Sequence, residues 1–218
     1  MTTELDVDVI SDVVCPWCFI GKRKLERAIE SWQADHNGGH PVRVRWHAYQ
    51  LNPDFPPEGL ARAEFLRRKF GTQDVGQRFE RVRAAGAAVG IPFAFERIER
   101  IPNTLPAHAL IALAAERGCQ EETVEAFFRA YFLDGEDLCD QTKLVDIAEG
   151  AGLDRVAAET WLSGSAARSA VAAADQHARK MGVQGVPFFI FNRRIAVSGA
   201  QDPAVLLEAM REAAAERA

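Results

Sequence analysis

Two short stretches near the start of the chain follow the period of a β-strand. Apolar and acidic residues alternate over residues 5–10, and one face of residues 42–49 is apolar. Between them, apolar or small side chains recur from Cys18 to Trp32 at the three- and four-residue spacing of a helix. The pattern predicts a β-α-β unit whose two strands run parallel.

The middle of the chain, residues 60–165, has an almost entirely helical pattern. Glycine, proline and capping residues divide it, and an extended crossing segment over residues 93–98 interrupts it. We expect helices over residues 61–70, 74–89, 105–117, 121–133, 142–151 and 154–162, with Asp74 and Thr104 as caps. The aromatic stripe of Phe127, Phe128 and Tyr131 favours the core of a helical bundle over a substrate groove.

The end of the chain returns to strand-like patterns. A long alanine-rich helix is expected over residues 165–181, followed by a buried strand within residues 185–191. Asn192 and Arg193 suit a tight turn into another strand, and Asp202 suits the cap of a last helix. The chain therefore orders as a β-α-β unit, a helical block and a β-β-α unit, which predicts an α/β fold.

Composition and charge limit the classes of partner and the cellular location that we expect. The 218 residues are 48% hydrophobic, enough to bury a core in one domain or two. A net charge of −5 and a pI near 5.6 give no basic footprint for nucleic acid or an anionic membrane. Residues 1–4 show no leader pattern, and no apolar run approaches the roughly 20 residues of a membrane span. We expect a cytoplasmic protein with no nucleic-acid or membrane partner.

The chemistry is predicted at Cys15-Pro16-Trp17-Cys18, between the first strand and the first helix. Pro16 suits the first helical turn, where its missing N–H costs nothing. Cys15 then lies at the helix tip, where free N–H groups and the helix dipole favour an anion such as a thiolate. Cys18 lies one turn deeper and is expected to be more buried. An exposed attacking thiol beside a sheltered resolving thiol is what thiol–disulfide exchange requires.

A pair of cysteines at this spacing is also half of a zinc site. The other half would be His36 and His40, which have a ligand spacing. They follow the helix that the motif begins, and a helix of about 18 residues places them roughly 25 Å away. The sequence therefore favours redox chemistry over a metal site. Cys119 and Cys139 fit neither pattern, and the alternatives for them are two inert thiols or a second redox pair.

Four stretches of sequence, in the same order and spacing as in a known protein family, extend over nearly the whole chain. They are residues 11–21 around the cysteines, 51–53 with 56–59, 182–189 and 197–201. Together they resemble the DsbA-like oxidoreductases of the thioredoxin fold, in particular the FrnE-type branch. The resemblance implies a discontinuous thioredoxin-like domain with a helical domain inserted in its middle. The thioredoxin-like part would comprise residues 1–59 and 166–218, and the insertion residues 60–165.

The resemblance also implies roles for several residues. Pro187 corresponds to the cis-proline that faces the two cysteines in thioredoxin-fold proteins, and Val186 would present its backbone to a bound thiol or peptide. Trp17 offers an apolar contact to substrate, or alternatively caps the helix N-terminus. Asn52 and Asn103 lie in segments that resemble the loops near the family's active-site cleft. All four are candidate substrate-binding positions, besides Cys15, Cys18 and Pro187 as the catalytic group.

The direction of electron transfer follows from the same resemblance. DsbA-type oxidants are associated with a histidine between the cysteines, whereas this chain has the uncharged Trp17. A less stabilised thiolate, in the cytoplasm, favours reductase or isomerase work on a disulfide-containing protein or a small thiol. No metal and no cofactor beyond the dithiol is expected, with glutathione as a candidate co-substrate. The oligomeric state stays open between monomer and homodimer.

Two other functions remain as alternatives. Kappa-class glutathione transferases and hydroxychromene-carboxylate isomerases resemble the chain in Asn103-Thr104 and in the Val-Pro loop. In that branch a serine typically stands at the position of Cys15, and the thiol of glutathione does the chemistry. The other alternative is a non-enzymatic one, in which the helical block holds an unfolded or partner protein. An excess of exposed apolar residues on the block would favour it.

Overall fold

The computed structural model describes residues 4–36, 40–71 and 76–215. Its strands are β1 (Leu5–Ser11), β2 (Val42–Ala48), β3 (Leu60–Ala61), β4 (Arg100–Ile101), β5 (Phe188–Phe191) and β6 (Ile195–Ser198). Its helices are α1 (Pro16–Asp35), α2 (Arg62–Phe70), α3 (Gly76–Ala87), α4 (Leu105–Arg117), α5 (Gln120–Arg129), α6 (Gln141–Gly150), α7 (Arg155–Ser163), α8 (Ser165–Lys180) and α9 (Pro203–Ala214). Asp74, the predicted cap of the second of the middle helices, lies outside the described residues.

The main sheet has the strand order β2-β1-β5-β6. β1 and β2 run parallel, with Leu5 opposite Val42, while β5 pairs antiparallel with both β1 and β6. The long connection from β2 to β5 holds helices α2 to α8 and the short β3–β4 ribbon. The predicted α/β architecture is therefore confirmed: a β-α-β unit and a β-β-α unit share one sheet, with helices inserted between them.

The hairpin between β5 and β6 forms as the sequence predicts. Asn192 and Arg193 have positive φ angles of 48° and 55°, the conformation of a tight two-residue hairpin turn. Asn192 tolerates this conformation and also ties the turn down, because its side chain accepts from the N–H of Asp6 at 2.9 Å. The predicted cap of the last helix is confirmed as well, since the Asp202 carboxylate accepts from the Ala204 N–H.

Several local predictions in the helical block need correction. The segment predicted as extended contains a 3-10 turn at Phe95–Arg97, where Phe95 packs into the aromatic core. The helix predicted for residues 121–133 ends at Arg129 and continues as a wider π-helical turn, Ala130–Asp134. Thr104 makes no side-chain cap; the N–H of Leu105 is instead accepted by the Asn103 side chain.

Aromatic side chains join the helical block to α1 in one continuous core. The rings of Phe19 on α1 and Phe128 on α5 stack with centroids 5.1 Å apart. Phe127 and Phe128 have no exposed surface, and Tyr131 has 2%. Phe127 and Phe128 are thus core, as the sequence analysis expected, and Tyr131 is almost fully buried beside them.

Two polar arrangements fix the helical block, one against β2 and the other against α1. The side-chain amide of Gln120 accepts from the N–H of Trp46 at 3.0 Å and donates to its carbonyl at 2.9 Å. In this way it covers the outer edge of β2 at Trp46. The ammonium of Lys22 on α1, 4% exposed, pairs with Glu121 at 2.7 Å and Glu125 at 3.2 Å on α5. No helix among the described residues has the length and apolarity to span a bilayer.

Candidate active site

The Cys-x-x-Cys motif lies where β1 gives way to α1. The N–H of Cys15 donates to the carbonyl of Asp12 at 3.0 Å, which closes a turn after the strand. Cys15 is the N-cap of α1, Pro16 occupies the first helical position, and the N–H of Cys18 donates to the Cys15 carbonyl at 2.9 Å. The predicted placement of the motif at a helix tip is therefore observed. Both cysteines carry free thiols.

Cys15 is less exposed than the sequence suggests. Its exposed fraction is 5%, against 1% for Cys18, so the order is as predicted but the attacking thiol is not an exposed one. The reason is the loop before β5, which lies against it: the Cys15 thiol donates to the carbonyl of Val186 at 3.5 Å. What remains of the Cys15 surface lines a cavity.

The loop that covers Cys15 is shaped by Pro187. The Val186–Pro187 peptide bond is cis, and Pro187 is buried. Its ring lies against α1 at Gly21, where an added Cβ would come within 2.9 Å of the Pro187 Cγ. The absence of a side chain at Gly21 thus allows the loop to approach the helix and the Val186 carbonyl to reach Cys15.

Burial sets the chemistry of Cys18. It raises the pKa of the Cys18 thiol well above its ordinary value, and the hydrogen bond to Cys15 and the negative charge of a Cys15 thiolate raise it further. The Ser11 side chain and the Asp12 backbone oppose this effect because they hydrogen-bond to the sulfur. Cys18 is therefore a proton-holding thiol in the reduced protein.

A buried acidic residue behind the cysteines was missed by the sequence analysis. Asp12 has no exposed surface. Its carboxylate accepts from the N–H of Leu51 at 2.8 Å and lies 3.3 Å from Nε2 of His108, which is itself buried on α4. The available signal was an acidic side chain directly after an apolar strand. Asp12 thus joins the motif, the segment after β2 and the inserted helices at one point.

A cavity of about 410 Å³ opens above the motif. Cys15, Trp17 and Asn52 line one side of it. The opposite side is built by α2, α3 and the π-helical turn, and its apolar lining is Phe65, Leu66, Phe70, Phe79, Val82, Tyr131 and Phe132. This volume lies in the range of small-molecule sites. Burial raises the pKa of Tyr131, which keeps its hydroxyl protonated while it donates to the Arg100 carbonyl.

The predicted binding residues divide into two groups. Trp17, 40% exposed, and Asn52 line the cavity, and Val186 lies beside Cys15. Asn103 does not line it. Its amide donates to the Phe55 carbonyl at 2.7 Å and accepts from Gln50 at 3.1 Å, besides its contact with the start of α4. The polar atoms of Asn103 are thus committed to the fold.

The remaining cysteines and histidines lie elsewhere. Burial and Asp137 raise the pKa of the partly buried Cys139 to about 11, and Cys119 is a free thiol at the start of α5. His36 follows the C-terminal end of α1, at the opposite end of the helix from Cys15. Residues 37–39, between the two histidines, lie outside the described residues.

Comparison with known proteins agrees with this architecture. The family described as the DSBA-like thioredoxin domain matches residues 6–211. A probable DsbA oxidoreductase from Streptomyces coelicolor is 31% identical, and its structure superposes with a TM-score of 0.88 over 99% of this chain and 92% of that one.

Two other solved structures share the fold at lower identity. The cytosolic disulfide reductase DsbM from Pseudomonas aeruginosa, solved with GSH, is 20% identical, with a TM-score of 0.61 and 95% of each chain covered. A 2-hydroxychromene-2-carboxylate isomerase is 17% identical, with a TM-score of 0.67 and again 95% of each chain covered. These likenesses support the fold alone.

Proposed function

The chain belongs to the family of DSBA-like thioredoxin domains, and on that premise we propose that it reduces or isomerises disulfides through Cys15 and Cys18. The observation that carries the proposal is the contact of the Cys15 thiol with the Val186 carbonyl at the floor of a cavity, with Cys18 one turn behind it. A substrate sulfur that reached Cys15 would lie beside that backbone. Pro187 shapes the loop, and Trp17 and Asn52 are the proposed contacts to substrate.

The proposed reaction has two steps that balance in atoms and electrons. The Cys15 thiolate attacks one sulfur of the substrate disulfide, and the other sulfur leaves as a thiolate that takes a proton from solvent. Cys18 then loses its proton and attacks the Cys15 sulfur, which releases the second substrate thiol. The substrate disulfide gains two electrons, and Cys15 and Cys18 become a disulfide. A thiol reductant, with glutathione as a candidate, returns the enzyme to its dithiol form.

The raised pKa of Cys18 gives the two steps their order. While Cys15 is a thiolate, its charge and its hydrogen bond hold the proton on Cys18. A mixed disulfide at Cys15 carries no charge, so those two contributions disappear. The Ser11 hydroxyl and the Asp12 backbone then stabilise a Cys18 thiolate against the effect of burial. We propose that Cys18 is held inactive until the first step has occurred.

The test is reduction of a disulfide in a flexible peptide, with dithiothreitol as the electron donor. Cys15→Ser should abolish the activity, and Cys18→Ser should accumulate a mixed disulfide that mass spectrometry detects. The matched control is the double variant Cys119→Ala, Cys139→Ala, which should retain wild-type turnover. Wild-type turnover in Cys15→Ser would refute the proposal. A large loss in the folded double control would instead bring those thiols into the mechanism.

A glutathione-dependent isomerase or transferase is the second candidate. The fold is shared with a 2-hydroxychromene-2-carboxylate isomerase, and the apolar cavity suits an aromatic ligand. Both cysteines argue against it, since glutathione's thiol would do that chemistry without them. The test is isomerisation of a chromene acid in the presence of glutathione. If this activity is retained in the Cys15→Ser and Cys18→Ser proteins, the glutathione-dependent function replaces disulfide exchange.

We also propose the cytoplasm as the setting of the reaction. A disulfide reductase described as cytosolic shares the fold, and its structure was solved with GSH. A reducing compartment would keep Cys15 and Cys18 in the dithiol form that the first step needs. Cell fractionation with detection of the protein tests this location.

A further inference from the structure

The cavity above Cys15 is bordered by cationic side chains as well as by apolar ones. Arg62 and Lys69 come from α2, and Arg78 and Arg81 from α3. Among the described residues that line the cavity there is no carboxylate. Residues 72–75, which connect the two helices, are outside the described part of the chain. The cavity therefore combines an apolar body with a positively charged border, in a protein whose net charge is −5.

In the described structure, these cations contact different partners from those of many other arginines. Arg83, also on α3, pairs with Glu96 at 2.8 Å, and Arg179 pairs with Asp175 at 2.8 Å. None of the four cavity cations has an ion-pair partner in the described residues. Three of them lie over aromatic rings of the same wall: Arg62 over Phe79 at 5.1 Å, Lys69 over Phe65 at 5.1 Å and Arg78 over Phe70 at 5.2 Å.

An aromatic face holds a cation in place but leaves its N–H groups free to donate. A guanidinium held in this way is prepared for a carboxylate, which it binds with two parallel hydrogen bonds. The rings beneath the cations offer apolar contact to the rest of the same ligand. The charge and polarity of the wall thus complement a molecule with an apolar body and acidic groups.

We propose that the substrate is a small disulfide that carries carboxylate groups on an apolar body. This inference rests on the proposed function, because it concerns the molecule that brings its sulfur to Cys15. Small size follows from the cavity volume of about 410 Å³ and from the 5% exposure of Cys15, which a folded protein surface would reach with difficulty. The carboxylates would bind the cations of α2 and α3 while the disulfide meets Cys15.

Binding of an unreactive analogue separates this inference from the chemistry. The probes are bis(3-carboxyphenyl) sulfide and its bis-carboxamide, which match in shape and differ in charge. By calorimetry at low salt, reduced wild-type protein should bind the dicarboxylate about tenfold more tightly than the bis-carboxamide. This ratio corresponds to a difference of about 1.4 kcal/mol in binding free energy. The ratio should shrink in 0.5 M NaCl, because salt screens the ion pairs.

Paired variants test where the preference arises. Lys69→Gln with Arg78→Gln should bring the binding ratio close to one. The control, Arg67→Gln with Arg117→Gln, changes the net charge equally at positions that do not line the cavity, and should keep the ratio. A wild-type ratio near one, or a ratio unchanged in Lys69→Gln/Arg78→Gln, would overturn the proposal.

Two further measurements identify the class of substrate and separate disulfide exchange at Cys15 from the charge preference of the cavity. If an acidic cysteine peptide binds and the dicarboxylate does not, the small-molecule class is overturned. Exchange is measured separately with the neutral hydroxyethyl disulfide. Failure of exchange together with a preserved binding ratio would refute the proposed function and leave the cavity's charge preference standing. Exchange without any preference for the dicarboxylate would refute the inferred substrate class and leave the proposed function standing.

Discussion

Replacement of Asp12 by alanine should destabilise the protein strongly, although Asp12 is not itself one of the reacting groups. The change removes a buried carboxylate that accepts from the Leu51 N–H at 2.8 Å and contacts His108 at 3.3 Å. Each buried donor left without a partner costs about 1–3 kcal/mol. The change deprives two groups of their partner, the Leu51 N–H and the buried His108 ring nitrogen. We therefore expect a loss of about 3 kcal/mol in the free energy of unfolding.

Urea unfolding of the reduced protein, followed by circular dichroism, measures this loss. With a slope of about 1–3 kcal/mol per molar urea, the midpoint should fall by about 1 M or more. Asp12→Asn should cost less, because the asparagine side chain has nearly the same volume and its carbonyl oxygen still accepts from the Leu51 N–H. The matched control is Asp54→Ala, an exposed acidic residue, which should stay within about 0.5 kcal/mol of wild type.

A double-mutant cycle with His108→Ala identifies the cause. Since Asp12 and His108 are partners, loss of both should cost less than the sum of the single losses, by about 1 kcal/mol or more. A loss below about 1 kcal/mol in Asp12→Ala would show that water replaces the carboxylate. Strict additivity in the cycle would show that the two residues act independently, and either result would refute the reasoning.

Three further predictions follow from the site and the core. Burial raises the pKa of Cys18, so its thiolate forms only at alkaline pH. In Cys15→Ser protein, iodoacetamide should therefore modify Cys18 far more slowly at pH 8 than after unfolding in urea. Equal rates of modification, followed by mass spectrometry, would contradict this. Gly21→Ala should cost about 1–3 kcal/mol in urea unfolding and slow disulfide exchange, because its Cβ would displace Pro187; wild-type stability and rate would show that the loop is free to move. Phe19→Ala should cost about 3–5 kcal/mol, since the buried ring joins α1 to α5, with Phe19→Leu as a milder control; a loss below about 1 kcal/mol would mean that the core closes around the cavity.

The sequence predicted those parts of the fold whose signals are local. The strands, the turn at Asn192 and the cap at Asp202 follow from period and from turn chemistry, and the topology follows from their order. The predictions were wrong where long-range packing decides. The shelter of Cys15 comes from the Val186 carbonyl, 171 residues away along the chain. The cap from Asn103 instead of Thr104 depends on the same amide reaching Phe55.

The candidate site divides in a similar way. The motif identified Cys15 and Cys18, and the resemblance pointed to Pro187 and Val186. Asp12 escaped notice because its partner His108 lies on a helix 96 residues later, and no local pattern connects the two. The cavity cations were also missed, since on exposed helices such charges usually mark only a solvated face. What makes them distinctive is the aromatic wall beneath them and the lack of acidic partners among the residues that the structure describes.

The side chain of Gln120 has a consequence for how the protein behaves in a crowded solution. An outermost strand with free N–H and C=O groups is a template on which another chain can pair, and such pairing leads to aggregation. At Trp46 the Gln120 amide takes both groups, as a neighbouring strand would. The inserted helices therefore do more than roof a cavity. They also block the edge of β2 at Trp46 against a second molecule, whereas β6 forms the other edge of the main sheet.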